Sequence, residues 1–116
     1  MNDKKRQLVI GDIHGRHQKL KYVLLKCNYN QENDTIIFLG DYIDGCRGGL
    51  IQQTQCNKLV IDAKKTIDTI INIVLNRICL LGNHDKWLRE FIRTKKIDKN
   101  WLSQGGYGTL NSYGIL

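Results

Sequence analysis

The chain contains no proline, so its turns fall to glycine, of which there are 11 among 116 residues. It also lacks a long apolar run. The stretch around Ile70, Ile71, Ile73, Val74 and Leu75 is broken by Asn72 and falls far short of the roughly 20 residues that a bilayer span requires. The N-terminus is charged, and only Leu8, Val9 and Ile10 precede Gly11 and Asp12, too few for the apolar segment of a secretory leader. A cytoplasmic protein is the expectation. Cys27, Cys46, Cys56 and Cys79 form no C-x-x-C pair, and three of them fall in expected helices or strands, which argues against a zinc knuckle and for reduced thiols. Acidic residues are scarce, 11 against 18 Lys and Arg. The resulting net charge of +7 favours anionic partners: phosphate esters, nucleotides or nucleic acid. With 41% hydrophobic and 25% charged residues the composition is that of a folded globular chain, and the length suits one domain over residues 1–116.

Three short apolar runs organise what is present: Leu8-Val9-Ile10, Ile36-Ile37-Phe38-Leu39 and Ile78-Cys79-Leu80-Leu81. Each is followed at once by glycine and then a carboxylate or amide, at Gly11-Asp12, Gly40-Asp41 and Gly82-Asn83. Continuous apolar runs without alternation are the habit of parallel strands buried on both faces. Apolar residues recur with helical spacing at Leu20, Val23, Leu24 and Cys27, and again at Leu59, Val60, Ala63, Ile67, Ile70, Ile71 and Val74. The spacing predicts an α/β chain of order β-α-β-α-β with a mostly parallel sheet. A loop with Gly45, Gly48 and Gly49 is expected over residues 44–55, a helix from Asn83 to about Arg93, a short turn or helix near Trp101, and then a glycine-rich tail. In open α/β sheets chemistry collects at the carboxyl ends of the strands, where all three junctions would meet.

The motifs read GDIHG from Gly11, GDYIDG from Gly40 and GNHD from Gly82. An Asp or Asn after a strand is commonly a turn or cap residue, and a lone histidine is commonly a surface one. Three such motifs in order, each behind an expected strand, are another matter. Together they resemble the calcineurin-like metallophosphoesterases, and within them the phosphoprotein phosphatases and their bacterial diadenosine-tetraphosphatase-like members. Trp101, Gly105-Gly106, Thr109-Leu110 and Ser112-Tyr113-Gly114 extend the likeness to the last residue. The resemblance implies the N-terminal half of a two-sheet sandwich and a phosphate-ester hydrolase using one or two divalent ions, Mn first and Fe or Zn as alternatives. It implies that Asp12 and His14 ligate a first ion, Asp41 bridges, and Asn83 ligates a second. His84 would protonate the leaving oxygen, oriented by Asp44. His17, Asp85 and Trp87 receive no role: the first two are read as helix-surface residues and the tryptophan as packing.

Two departures qualify the likeness. The family carries Arg where this chain has Gly45, so nucleotide or dinucleotide polyphosphates are expected ahead of phosphoproteins, with Arg47 a substrate contact if its loop bends back. The family's later histidines have no counterpart after His84, which leaves the second ion only Asp41 and Asn83. An impaired phosphatase-like binding module for a nucleotide, nucleic acid or protein is the alternative function. One sheet face should also lie uncovered, which predicts a homodimer or a complementing second chain. Residues 101–116 are expected to contribute to that contact, the other arrangement being a tail folded back over its own sheet.

Overall fold

The computed structural model describes residues 4–116. Three parallel strands form one sheet in the order β1 (Arg6–Ile10), β2 (Asp34–Phe38), β3 (Arg77–Cys79). Val9, Ile37 and Ile78 stand side by side in register, as do Ile10, Phe38 and Cys79. Helix α1 (His17–Lys26) joins β1 to β2. Helices α2 (Leu50–Thr54) and α3 (Ala63–Ile73) lie between β2 and β3, and α4 (Asn83–Thr94) follows β3. The last elements are α5 (Lys99–Trp101), a kinked segment over Leu102–Gly106 that leaves helical geometry at Gln104 and Gly105, and α6 (Tyr107–Ser112). The β-α-β-α-β order and the parallel sheet are those expected.

The strands are not buried on both faces. Ile36 and Phe38 face α1 and α3 and join Ile13, Leu20, Leu24, Ile70 and Val74 in one core. On the opposite face Val9 is 61% exposed, Ile78 49%, and Leu39 and Leu80 47% each. The apolar runs therefore reflect one packed face and one open face. A smallest extent of 19 Å matches two layers, one sheet and one tier of helices. A second core of Ile43, Ala63, Trp101 and Leu110, flanked by Trp87, Leu88 and Phe91, lies beside α4. Arg6 ties the start of β1 to β2: its Nε and Nη2 donate to the two Asp34 carboxylate oxygens at 2.9 and 2.7 Å.

Several expectations change. Leu59 and Val60 are exposed and lie in a turn in which the Asn57 carbonyl accepts from Val60 and Ile61 N–H. Asp62, in an extended conformation, accepts from the Lys65 N–H at 3.0 Å and caps α3 at Ala63, so helical spacing before that point is coincidental. The 44–55 loop contains α2. Its excursion returns the chain so that Cys46 and Cys56, with Cα atoms 6.1 Å apart, form a disulfide; only Cys27 and Cys79 are free thiols, against the expectation of a wholly reduced set. The tail folds back on its own chain, with Trp101 and Leu110 fully buried and α6 packed on α2 and α3 rather than on the sheet. Those two residues are therefore not available to a partner, while Ile115 and Leu116 remain exposed.

Candidate metal and phosphate site

Asp41 is the hub that joins the three strand-end junctions. Its carbonyl accepts from the backbone N–H groups of Ile13 and His14 at 3.1 and 2.9 Å, binding the first junction to the second. Its Oδ1 accepts from the His84 N–H at 2.9 Å, in the first turn of α4, binding the third. Such an approach needs glycines. A Cβ on Gly82 would strike the Asp41 carboxylate, and one on Gly40 would strike the Gly82 backbone.

His14, Asp41 and Asp44 each adopt a left-handed backbone, with φ of 48°, 54° and 65°. Non-glycine residues take this conformation at a cost, and its recurrence at three neighbouring polar residues marks a place where side-chain aim outweighs local comfort. The aim is visible. One ligand atom each from Asp12, His14 and Asp41 lie within 4.8 Å of one another. His14 Nδ1–H donates to the Ile43 carbonyl at 2.7 Å, which leaves Nε2 as the lone-pair nitrogen, 3.7 Å from Asp12 Oδ2. A carbonyl behind the imidazole is the usual device that sets the tautomer of a metal-ligating histidine. Two carboxylates and one imidazole form a mixed oxygen and nitrogen donor set that fits Mn, Fe or Zn.

Beside this cluster His84 Nδ1–H donates to Asp44 Oδ2 at 2.8 Å, and its ring meets that of His14 edge-on at 5.2 Å between centroids. Among the described residues His84 Nε2 has no protein hydrogen-bond partner. Asp44 is 1% exposed. Burial pushes its carboxyl above the usual carboxylate range, while hydrogen bonds from Thr109, His84 and Trp101 pull the other way. Asn83 is exposed at the first position of α4, next to His84. Arg47 is exposed inside the disulfide-closed loop and, among the described residues, makes no hydrogen bond or ion pair.

Two residues read as helix-surface groups are buried instead. His17, the first residue of α1, is fully buried, and its Nε2 bonds the Lys58 carbonyl at 3.1 Å. Asp85 accepts from the backbone N–H groups of Asp41, Gly82 and Tyr42 at 2.6, 2.8 and 3.1 Å. It thus fastens the second and third junctions together and holds the turn that presents His84. Burial raises its carboxyl above the ordinary range against the pull of those three donors. The spacing that assigns Asp85 to a helix is correct, but two of its three partners, Asp41 and Tyr42, lie in the loop after β2. Trp87 packs against the second core, as expected, and also meets the His84 ring edge-on at 5.3 Å.

A family model for calcineurin-like phosphoesterases matches residues 5–115. The chain is 31% identical over 93 residues to the symmetrical bis(5'-nucleosyl)-tetraphosphatase of Actinobacillus pleuropneumoniae serotype 5b (strain L20), across 79% of this chain and 29% of that protein. It is 33% identical over 90 residues to the enzyme of the same description from Wigglesworthia glossinidia brevipalpis, across 77% of this chain and 28% of that protein. The chain thus spans less than a third of the length of these curated relatives. With the strand-end motifs, the parallel sheet and nearly every residue matched, the chain belongs to the calcineurin-like phosphoesterase family.

Proposed function

We propose that this chain is a metal-dependent phosphoesterase whose substrates are nucleotides or dinucleoside polyphosphates in preference to phosphoproteins. The observation that carries the reading is the juxtaposition of the Asp12, His14 and Asp41 ligand atoms with the hydrogen-bonded His84–Asp44 pair. A divalent ion, Mn first, with Fe or Zn as alternatives, would supply charge to a phosphoryl oxygen and lower the pKa of water. Asp12 and His14 would hold it, Asp41 would bridge to a second ion, and Asn83 would serve that second ion. His84 would deliver a proton from Nε2 to the leaving oxygen, with Asp44 fixing the ring. Arg47 is the candidate substrate contact; its exposed position leaves it free to approach a long polyphosphate. The relatives named for tetraphosphatase activity support the substrate class, and so does Gly45 in place of a phosphate-gripping arginine. The experiment is hydrolysis of p-nitrophenyl phosphate and diadenosine tetraphosphate with and without Mn. Turnover that requires metal and disappears in Asp41→Asn is the expected result, and no metal-stimulated turnover on any phosphomonoester, diester or dinucleoside polyphosphate overturns the reading.

One observation favours a second reading, a phosphatase-like binding module. Among the described residues a second ion would find only Asp41 and Asn83 as candidate ligands, short of the four to six such ions take. A net charge of +7 would then serve to hold a nucleotide, nucleic acid or protein. Metal-independent nucleotide binding without turnover identifies that case. We also place a homodimer, or a complementing second chain, on the open sheet face. We keep the cytoplasm as the compartment read from the sequence; among the described residues no helix is long and apolar enough to cross a membrane, and the Cys46–Cys56 bond pulls against a reducing compartment.

A further inference from the structure

The C-terminal motif of Trp101, Gly105-Gly106 and Thr109 converges on one side chain of the site, the Asp44 carboxylate. We propose that Trp101 and Thr109 are positioning residues that clamp the Asp44 carboxylate so that it holds His84 in one tautomer and one orientation for proton delivery. This rests on the phosphoesterase reading. Trp101 Nε1–H donates to Asp44 Oδ2 at 2.6 Å, the same oxygen that receives His84 Nδ1–H. Thr109 Oγ1–H donates to Asp44 Oδ1 at 2.6 Å, and the Thr109 hydroxyl in turn accepts from the Asp44 backbone N–H at 3.1 Å. That reciprocal pair fixes the aspartate side chain relative to its own backbone. Both oxygens are thus occupied in a site closed to water, and apart from the half-turn that exchanges its two equivalent oxygens no rotation of the carboxylate keeps all three donors satisfied.

The local chain geometry exists to make this contact. Gly105 takes φ +108°, and a Cβ there would lie 2.8 Å from Asp44 Cα and Cβ. A Cβ on Gly106 would lie 2.6 Å from the Trp101 indole. The break in helical geometry at Gln104 and Gly105 separates α5 from α6, and Thr109 on α6 reaches the aspartate oxygen that His84 does not use. Gln53, buried in α2, fixes the same segment: its Nε2 donates to the Leu102 carbonyl and its Oε1 accepts from Gly108 N–H. In the step that results, a doubly protonated His84 gives its Nε2 proton to the leaving oxygen as the phosphorus–oxygen bond breaks. It is left neutral with the proton on Nδ1, held by Asp44. A ring free to turn, or neutral with its proton on Nε2 and none facing Asp44, loses that alignment.

The bland account is that Trp101 and Thr109 only fill space in the second core. Trp101→Phe keeps most of the ring and removes the N–H, and Thr109→Val keeps the shape and removes the hydroxyl; Thr109→Ser restores the hydroxyl without the methyl. Each variant is assayed on an alkyl or phenyl phosphate, whose leaving oxygen needs a proton, and on 2,4-dinitrophenyl phosphate, whose leaving oxygen does not. Clamping predicts that kcat on the poor leaving group falls about 10- to 100-fold in Trp101→Phe and Thr109→Val, with KM within about 2-fold and kcat on the dinitrophenyl ester within about 3-fold, and that Thr109→Ser recovers. Equal loss on both esters, or no loss, overturns it. A second arm needs no turnover: nitrogen-15 spectra of the imidazoles, only three in number, report the His84 tautomer. The wild-type chain should show a single Nδ1–H form and Thr109→Val a mixture, and an unchanged single form in both variants refutes the clamp. If the wild-type chain with metal hydrolyses neither of these esters, nor any phosphodiester or dinucleoside polyphosphate, the phosphoesterase reading fails while the spectra still decide the clamp.

Discussion

At the scale of single residues the site is a set of side chains held by backbone partners distant in sequence. Asp85 binds three N–H groups across the second and third junctions, and Asp44 is held from three sides. Little of this is legible in spacing, because the Asp41 and Tyr42 partners of Asp85 and the Lys58 partner of His17 lie 41 to 44 residues away and are main-chain atoms with no sequence signature. What could have been read is the third residue of the α4 first turn, where a carboxylate captures a helix-start N–H by habit. Gly45 is the residue whose meaning changes most. Its α-carbon packs so closely on the first junction that a Cβ would collide with the His14 carbonyl oxygen and lie 2.7 Å from Ile61 Cγ2. Reinstating the family arginine here is therefore a steric problem before it is a functional gain. Gly45→Arg should lower stability by about 1–3 kcal/mol in urea unfolding and lower the proposed metal-dependent hydrolysis. A stable variant with new phosphoprotein phosphatase activity would contradict the packing.

At the scale of elements, the strands and their order follow from the apolar runs, and the glycine-carboxylate junctions place the site at their carboxyl ends. The register depends on a tie that the runs do not encode. Arg6 and Asp34 lock β1 to β2 at their starts, and the Arg6 hydrogen bonds, with a further one from the Asn30 N–H, hold the Asp34 carboxyl below its ordinary range. A carboxyl depressed in the folded state stabilises the fold above its unfolded pKa of about 4 and loses that contribution as pH falls through the folded value. Arg6 stays charged throughout. Asp34→Asn should therefore lower the urea midpoint at pH 7 and flatten its decline between about pH 5 and pH 2 relative to the parent. An unchanged acid limb would show that the pair is ornamental. Other boundaries escaped the periodicity for physical reasons. The apolar Leu59 and Val60 mimic a helix face that the Asp62 cap excludes, and the kink at Gln104 and Gly105 lies where glycines press on Asp44 and Trp101, contacts that exist only in the folded chain. The Cys46–Cys56 bond likewise depends on α2 returning the chain.

At the scale of the whole molecule the sheet has helices on one face and Val9, Leu39, Ile78 and Leu80 open on the other. Exposed apolar area of this kind favours association, each buried Å² contributing roughly 25 cal/mol before the cost of bringing two bodies together. Light scattering at micromolar concentration should give a dimer mass, and Val9→Glu combined with Ile78→Lys should return it to the monomer; a 13.4 kDa monomer in the parent chain contradicts the homodimer. The sandwich partner face was legible as an expectation, whereas the tail was not, since its apolar residues serve the second core instead. The claim on which the rest depends is that three strand ends gather a metal site. Titration of the chain with Mn, followed by the loss of free-ion electron paramagnetic resonance signal, tests it most directly. At least one ion should bind per chain, and binding should be lost in His14→Ala and Asp41→Asn while their folds persist. No binding to the parent chain, or equal binding in all three, would contradict it.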